Sequence, residues 1–216
     1  MNSQTQWVNK ACLPTVGGKP IESKKADFAL SFSPQHPEIS QQYAALRTPG
    51  QEPFALSQMN DISTSKLVLF IGAEVKKLGG NEAEAKAQLF NWLGAGVIKM
   101  RKLVRKINYT AVNTLPQLGW TIVGHDWKLY MAIGRGNKAE DEISIIGPLQ
   151  GYTVDTTGFL GAFKLLRLME NIKQWAKEQY WSWYVKTIID PLKGLTKSPE
   201  EAAEDEEIEE GDVSDA

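Results

Sequence analysis

The stretch from Lys66 to Lys106 limits what this chain can fold into more than any other. Leu67-Val68-Leu69-Phe70-Ile71 is an apolar run of the length and content of a strand buried on both faces. Glu74 and Lys76 follow it and, because side chains alternate along a strand, share one face while Val75 points to the other. A carboxylate and an ammonium at the end of a buried strand are costly to desolvate, so they hold each other or a ligand. Leu78-Gly79-Gly80 then turns the chain into a long helix. Asn81 is its N-cap, and Glu84 three residues on completes the spacing of a capping box. Leu89, Trp92, Leu93, Gly96, Val97, Met100, Leu103, Val104 and Ile107 recur at three- and four-residue steps, which is the apolar stripe of an amphipathic helix. Gln88 lies one turn before Trp92, near the strand end that carries Glu74 and Lys76. Lys99, Arg101, Lys102, Arg105 and Lys106 fill the last turns, where the helix dipole favours cations.

The 216 residues suit one domain with an appendage, and a 42% hydrophobic content with seven Trp supplies a core. Cys12 is the only cysteine, which excludes an intrachain disulfide and points to a reducing compartment. The first residues lack the basic and apolar regions of a signal peptide, and no window reaches the roughly 18 apolar residues of a membrane span. A soluble intracellular protein of the nucleus or cytoplasm is the expectation. The net charge of -2 conceals a division: all 24 basic residues lie in positions 1–198 with 16 acidic ones, a body of +8, while positions 199–216 hold ten acidic residues and no basic one. A basic body favours a polyanionic partner; the acidic tail either competes with that partner or only solubilises the chain.

Taken in order, Trp7–Leu13 reads as a first short strand, and Pro14, Gly17, Gly18 and Pro20 enforce turns after it. Phe28, Leu30 and Phe32 alternate as in a half-buried strand over 27–33, with Asp27 at its start on the face opposite Phe28. Residues 34–65 are a polar, proline-containing excursion with one helical turn near 41–47. Three short strands, 119–123, 127–133 and 142–147, joined by turns at His125-Asp126 and at 134–138, form an antiparallel meander. Asp155-Thr156-Thr157 offers an N-cap for a second long helix through Phe159, Leu160, Phe163, Leu166, Met169, Ile172, Trp175 and Ala176, continuing past Tyr180 to about Ile189 and stopping before Pro191. The aromatic-free acidic end reads as disordered.

Asp27 opening one strand, Glu74-Val75-Lys76 closing the next and Gln88 on the following helix resemble the PD-(D/E)xK nuclease superfamily. With Ile71-Gly72-Ala73 before that motif, Gly124-His125-Asp126-Trp127 after it, and the Trp175, Tyr180 and Trp183 ending, the chain looks most like the PD-(D/E)xK nuclease-like domain of many fungal hypothetical proteins. The resemblance spans roughly residues 7–190, so the chain divides into a nuclease-like domain over 1–190, with 34–65 as an insertion, and an acidic tail over 191–216. It implies an α/β (α+β) fold, a mixed central β-sheet flanked by helices with a restriction-endonuclease-like core. It also implies a metal-dependent phosphodiesterase, in which Asp27, Glu74 and the backbone carbonyl of Val75 bind Mg²⁺ or Mn²⁺. Lys76 would orient and activate the attacking water and Gln88 would support the site. Hard divalent cations prefer carboxylate oxygens and retain waters, so two carboxylates leave room for a phosphate and a nucleophile. A lysine beside the cation can stabilise hydroxide and the charge developing on phosphorus. Ala26 stands where the superfamily's eponymous proline would be, and its usual first helix is missing or reduced here.

Each of these residues also has a structural reading. Glu74 and Lys76 form a salt bridge on that reading, Asp27 caps a turn, and Gln88 sits at the margin of an apolar stripe. His36 reads as exposed and His125 as a turn residue; one Cys and two distant His build no structural zinc site. A nucleophile elbow is missing, and neither Gly134-Arg135-Gly136 nor Leu78-Gly79-Gly80 has the context of a phosphate loop. The Lys99–Lys106 cations either track a nucleic-acid backbone or form a solvated helix face. The Trp175, Trp181, Trp183 and Tyr184 group reads as packing. The leading expectation is therefore a metal-dependent nuclease acting on nucleic acid, DNA before RNA. The alternative is a catalytically degenerate module that binds nucleic acid or a protein, and a third reading makes the acidic tail the functional part. Convergence of Asp27, Glu74 and Lys76 on one point separates the first two.

Overall fold

A computed structural model describes residues 7–16, 19–20, 26–47, 54–107, 114–135 and 142–195. The acidic tail, and the turn residues at 17–18 and 136–138, lie outside them. The sheet is built from β1 (Phe28–Ser31), β2 (Leu69–Lys76), β3 (Gln117–Val123), β4 (Asp126–Gly134), β5 (Ile143–Ile146) and β6 (Thr153–Asp155). Its order is β1-β2-β3-β4-β5, with β6 pairing the start of β4 while β5 pairs its end. Every pairing is antiparallel except β2 with β3, so this is a mixed six-stranded sheet flanked by helices. The parallel pair follows from the crossover between them: α2 (Glu82–Lys106) carries the chain back along one face of the sheet.

The sequence explains how closely α2 sits. A Cβ on Gly72 would fall 2.7 Å from the Trp92 ring, and one on Gly119 would fall 2.6 Å from Leu89. Glycine at these two positions on neighbouring strands lets the helix lower Leu89, Trp92 and Leu93, all 1% exposed or less, onto the sheet. The opposite face is covered by the C-terminal helix, which begins as α3 (Phe159–Trp175) and buries Leu165, Leu168 and Ile172. Its outer side leaves Phe159, Leu160, Phe163 and Leu166 exposed, between 61% and 90%.

The structure departs from the sequence reading in five places. Trp7–Leu13 is no strand: Val8 makes an isolated bridge to Met59, and Lys10–Cys12 is a 3-10 turn, capped by the Asn9 side chain accepting from the Ala11 N–H. The excursion carries a two-turn helix, α1 (Pro37–Ala44), with Pro37 in its first turn, and Leu46, Leu56 and Met59 are buried in the core. The Tyr43 hydroxyl pins it by donating to Phe32 O and accepting the Val68 N–H. Asp155 does not cap α3; it ends β6 and accepts the Thr157 N–H, and the N-cap is Gly158. Finally, the last helix does not stop before Pro191 but runs to Gly194 through π turns at Ala176–Trp181 and Val185–Ile189. The wide turn just before Pro191 relieves the clash between its ring and a carbonyl one turn back. The hairpin turn between β3 and β4 is Gly124-His125, and Asp126 already belongs to β4.

Buried tyrosines tie the last helix to the rest. Tyr180 accepts from Gln117 Nε2 at 2.8 Å and donates to Leu69 O at 3.2 Å, and Tyr184 donates to Leu56 O at 2.9 Å. Trp175 meets Tyr180 edge-on, Tyr180 stacks on Tyr184, and Trp181 lies against Phe32, so the aromatic ending is packing. No helix among the described residues is long and apolar enough to cross a membrane.

Candidate active site

The centre of the site is the end of β2. Antiparallel pairing places Phe28 opposite Ala73, which brings Asp27, one residue earlier, alongside the Glu74–Val75 segment. Half-buried Asp27 accepts the Val75 N–H on Oδ2 at 2.7 Å and shares a hydrogen bond with the Glu74 carboxyl. Glu74 is 1% exposed, and its Oε1 is buried without a hydrogen-bond partner. Burial pushes the Glu74 carboxyl up to about 8, helped by the Asp27 charge beside it and opposed by Lys76; the bond to Asp27 and the Glu84 charge raise it further.

Lys76, two residues on, faces α2. Its Nζ donates to Gln88 Oε1 at 2.9 Å and meets Glu84 Oε1 at 3.3 Å, while Gln88 Nε2 donates to the same Glu84 oxygen at 3.2 Å. The ion-pair partner of Lys76 is thus Glu84 on the helix, which leaves the Glu74 carboxyl to Asp27. Gln88 is where the sequence places it, within reach of the β2 end, because it stands one turn before Trp92, which packs on Gly72.

The helix start shows why Glu84 escapes a reading of the sequence. Asn81 Oδ1 accepts the Glu84 N–H at 3.1 Å, as an N-cap should. The reciprocal arm of a capping box, Glu84 reaching back to Asn81, is replaced by its contacts with Lys76 and Gln88. The only signal for this role is its four-residue spacing to Gln88. Beside it, Glu82 accepts from Lys128 and Lys86, both at 2.8 Å, and these bonds hold its carboxyl down at about 2.

The basic residues of α2 lie roughly 16 to 27 Å along the helix from Gln88, at 1.5 Å per residue, and do not join the site. Arg101 is 6% exposed and donates to Arg135 O at 2.7 Å. Lys102 donates to Ala11 O, Lys106 sits 4.2 Å above the Phe54 ring, and burial lowers the Lys99 ammonium. His125 lies in the Gly124-His125 turn, its carbonyl accepting from Thr156, and His36 precedes α1 without a side-chain capping bond.

The donor set fits a hard divalent cation. Two carboxyl groups meet, one of them with a buried oxygen that no protein group satisfies, and an ammonium stands behind them. Among the described residues no group of three or more acidic, His or Cys side chains is placed to hold a metal ion. No curated protein and no solved structure matches this chain. The family model of the PD-(D/E)XK nuclease superfamily matches residues 1–181, most of the chain and all of the site, and the chain therefore belongs to the PD-(D/E)XK nuclease superfamily.

Proposed function

We propose that the chain hydrolyses nucleic-acid phosphodiester bonds at this site, with Asp27, Glu74 and the Val75 carbonyl holding Mg²⁺ or Mn²⁺. The observation that carries the reading is the pairing of Asp27 with a fully buried Glu74 whose Oε1 lacks a partner. A bound divalent cation would supply an acidified water and charge neutralisation on the phosphate. Asp27 does two things at once: it fixes the end of β2 through the Val75 N–H and presents its carboxylate to the cation. Lys76, tethered by Gln88 and Glu84, keeps an ammonium beside the attacking water and the charge that grows on phosphorus. The tether limits where that ammonium can go, so its position is set before substrate arrives.

The substrate class follows from a polyanion partner for a body of +8, with DNA as the first choice. Lys102, Arg105 and Lys106 are the exposed members of the α2 cluster and would be the ones to meet phosphate at a distance from the site, whereas buried Arg101 supports the fold. The test is cleavage of labelled single- and double-stranded DNA and RNA with Mg²⁺ or Mn²⁺, comparing wild type with Glu74→Ala and Lys76→Ala. Cleavage by wild type that both folded variants lose is the expected result. No cleavage by wild type, together with no calorimetric binding of either cation, would reassign the fold here to a binding module without catalysis.

A further inference from the structure

A row of polar residues crosses the sheet at the level of the site. Asp27 stands beside Glu74, Glu74 is in register with Thr121 on β3, and Thr121 is opposite Lys128 on β4. Residues paired across neighbouring strands point to the same face, so the Thr121 and Glu74 side chains share the face of the sheet that α2 covers. Thr121 is 0% exposed, and its Oγ1, like Glu74 Oε1, is buried without a hydrogen-bond partner. Orphaned buried oxygens are rare, and two at one register position of adjacent strands mark a place where something is to be shared. The flanking cations are already engaged: Lys128 bonds Glu82 at 2.8 Å, and Lys76 is held by Gln88 and Glu84. Thr121 is the nearest donor along the row that no other group uses. Valine would fill the same space with the same β-branched shape and no buried hydroxyl, so packing alone gives no reason for threonine here.

We infer that Thr121 is a positioning residue of the cation site: in the loaded site its hydroxyl donates to the Glu74 carboxylate and fixes which oxygen meets the ion. Outer-shell donors of this kind orient a ligating carboxylate, and their loss commonly weakens metal binding ten- to a hundredfold. The inference rests on the reading that Asp27 and Glu74 hold a divalent cation.

The experiment is calorimetric titration of the full chain with Mn²⁺, comparing wild type, Thr121→Ser and Thr121→Val. Near-UV circular dichroism and melting of the metal-free proteins check the fold. Thr121→Val should bind Mn²⁺ about tenfold more weakly or worse, with a melting temperature no lower than wild type, while Thr121→Ser stays within about threefold of wild type. Should Thr121→Val fail to fold, Thr121→Ala, which adds no atoms, carries the same comparison. A folded hydroxyl-free variant that binds Mn²⁺ within twofold of wild type overturns the role of Thr121 and leaves the cation site standing. Thr121→Ser binding as weakly as Thr121→Val overturns it equally. Wild type that binds no Mn²⁺ removes the cation site itself, and the inference with it.

Discussion

Asp27 Oδ2 accepts the backbone N–H of Val75 at 2.7 Å, so a residue ahead of β1 fastens the strand end that carries both Glu74 and Lys76. The same carboxyl shares a hydrogen bond with Glu74, and its structural and chemical roles therefore separate on substitution. Asp27→Asn keeps an oxygen for Val75 and loses the charge, whereas Asp27→Ala leaves a part-buried N–H without an acceptor. Asp27→Ala should lose about 1–3 kcal/mol of stability, and Asp27→Asn clearly less. Both should lose most of their Mn²⁺ affinity; thermal melts and calorimetry on the two variants check this.

The raised Glu74 carboxyl makes the metal-free protein less stable as pH rises. Between its ordinary value of 4.5 and about 8, the folded chain keeps a proton that the unfolded chain has released. Stability contributed by this group thus falls through that window, by at most about 1.4 kcal/mol per pH unit, and levels off above it. Glu74→Gln should remove the slope and be the more stable protein at pH 8, by urea denaturation at several pH values.

Cation binding at Glu74 should have the opposite dependence, because the ion would need the carboxylate and compete with the proton. Apparent Mn²⁺ affinity should rise up to about tenfold per pH unit from pH 6 and flatten above about 8. Titration in two buffers of different ionisation enthalpy would count the proton released.

Glu84 restrains Lys76 from the helix and is half exposed, with 52% of its side chain in solvent. Solvent-exposed pairs of this kind contribute about 0–1 kcal/mol, so Glu84→Ala should barely move the melting temperature. Cleavage should fall roughly tenfold, because Lys76 loses one of its two tethers, and clearly less than in Lys76→Ala. Equal losses in both variants would assign Glu84 a direct role at the cation.

Gly72→Ala probes the contact that lowers Gln88 and Glu84 onto the site. Its new Cβ would stand 2.7 Å from the Trp92 ring, on α2 and against a fully buried side chain. Overpacking of this kind costs about 1–3 kcal/mol, which for a chain of this length is a drop of roughly 2–12 °C in melting temperature. Cleavage should fall as well, since the helix carrying the Lys76 tether is displaced.

Local chemistry made part of this protein legible in its sequence. The buried run before Glu74, the alternation that puts Glu74 and Lys76 on one face, the Asn81 cap and the helical stripe from Leu89 onward depend on near neighbours, and the structure follows them. The mixed sheet and the placement of Gln88 near Lys76 follow from the same features combined with family resemblance. Tertiary structure alone decided what depends on register between distant segments. Asp27 and Glu74 are 47 positions apart, and only antiparallel pairing of β1 with β2 puts their carboxyls together and leaves Glu74 Oε1 buried. The parallel pairing of β2 with β3, which sets Thr121 beside Glu74, requires the α2 crossover and is invisible in either strand. The sequence marks Glu84 as half of a capping box; the position of Lys76 in space redirects its side chain to the site. Pro191 marks a helix end by local rule, and the π turns before it, held by buried Tyr180, Tyr184 and Ile188, override that rule. Propensity acts over a few residues, whereas these outcomes were set by burial and pairing between segments that are far apart in the chain.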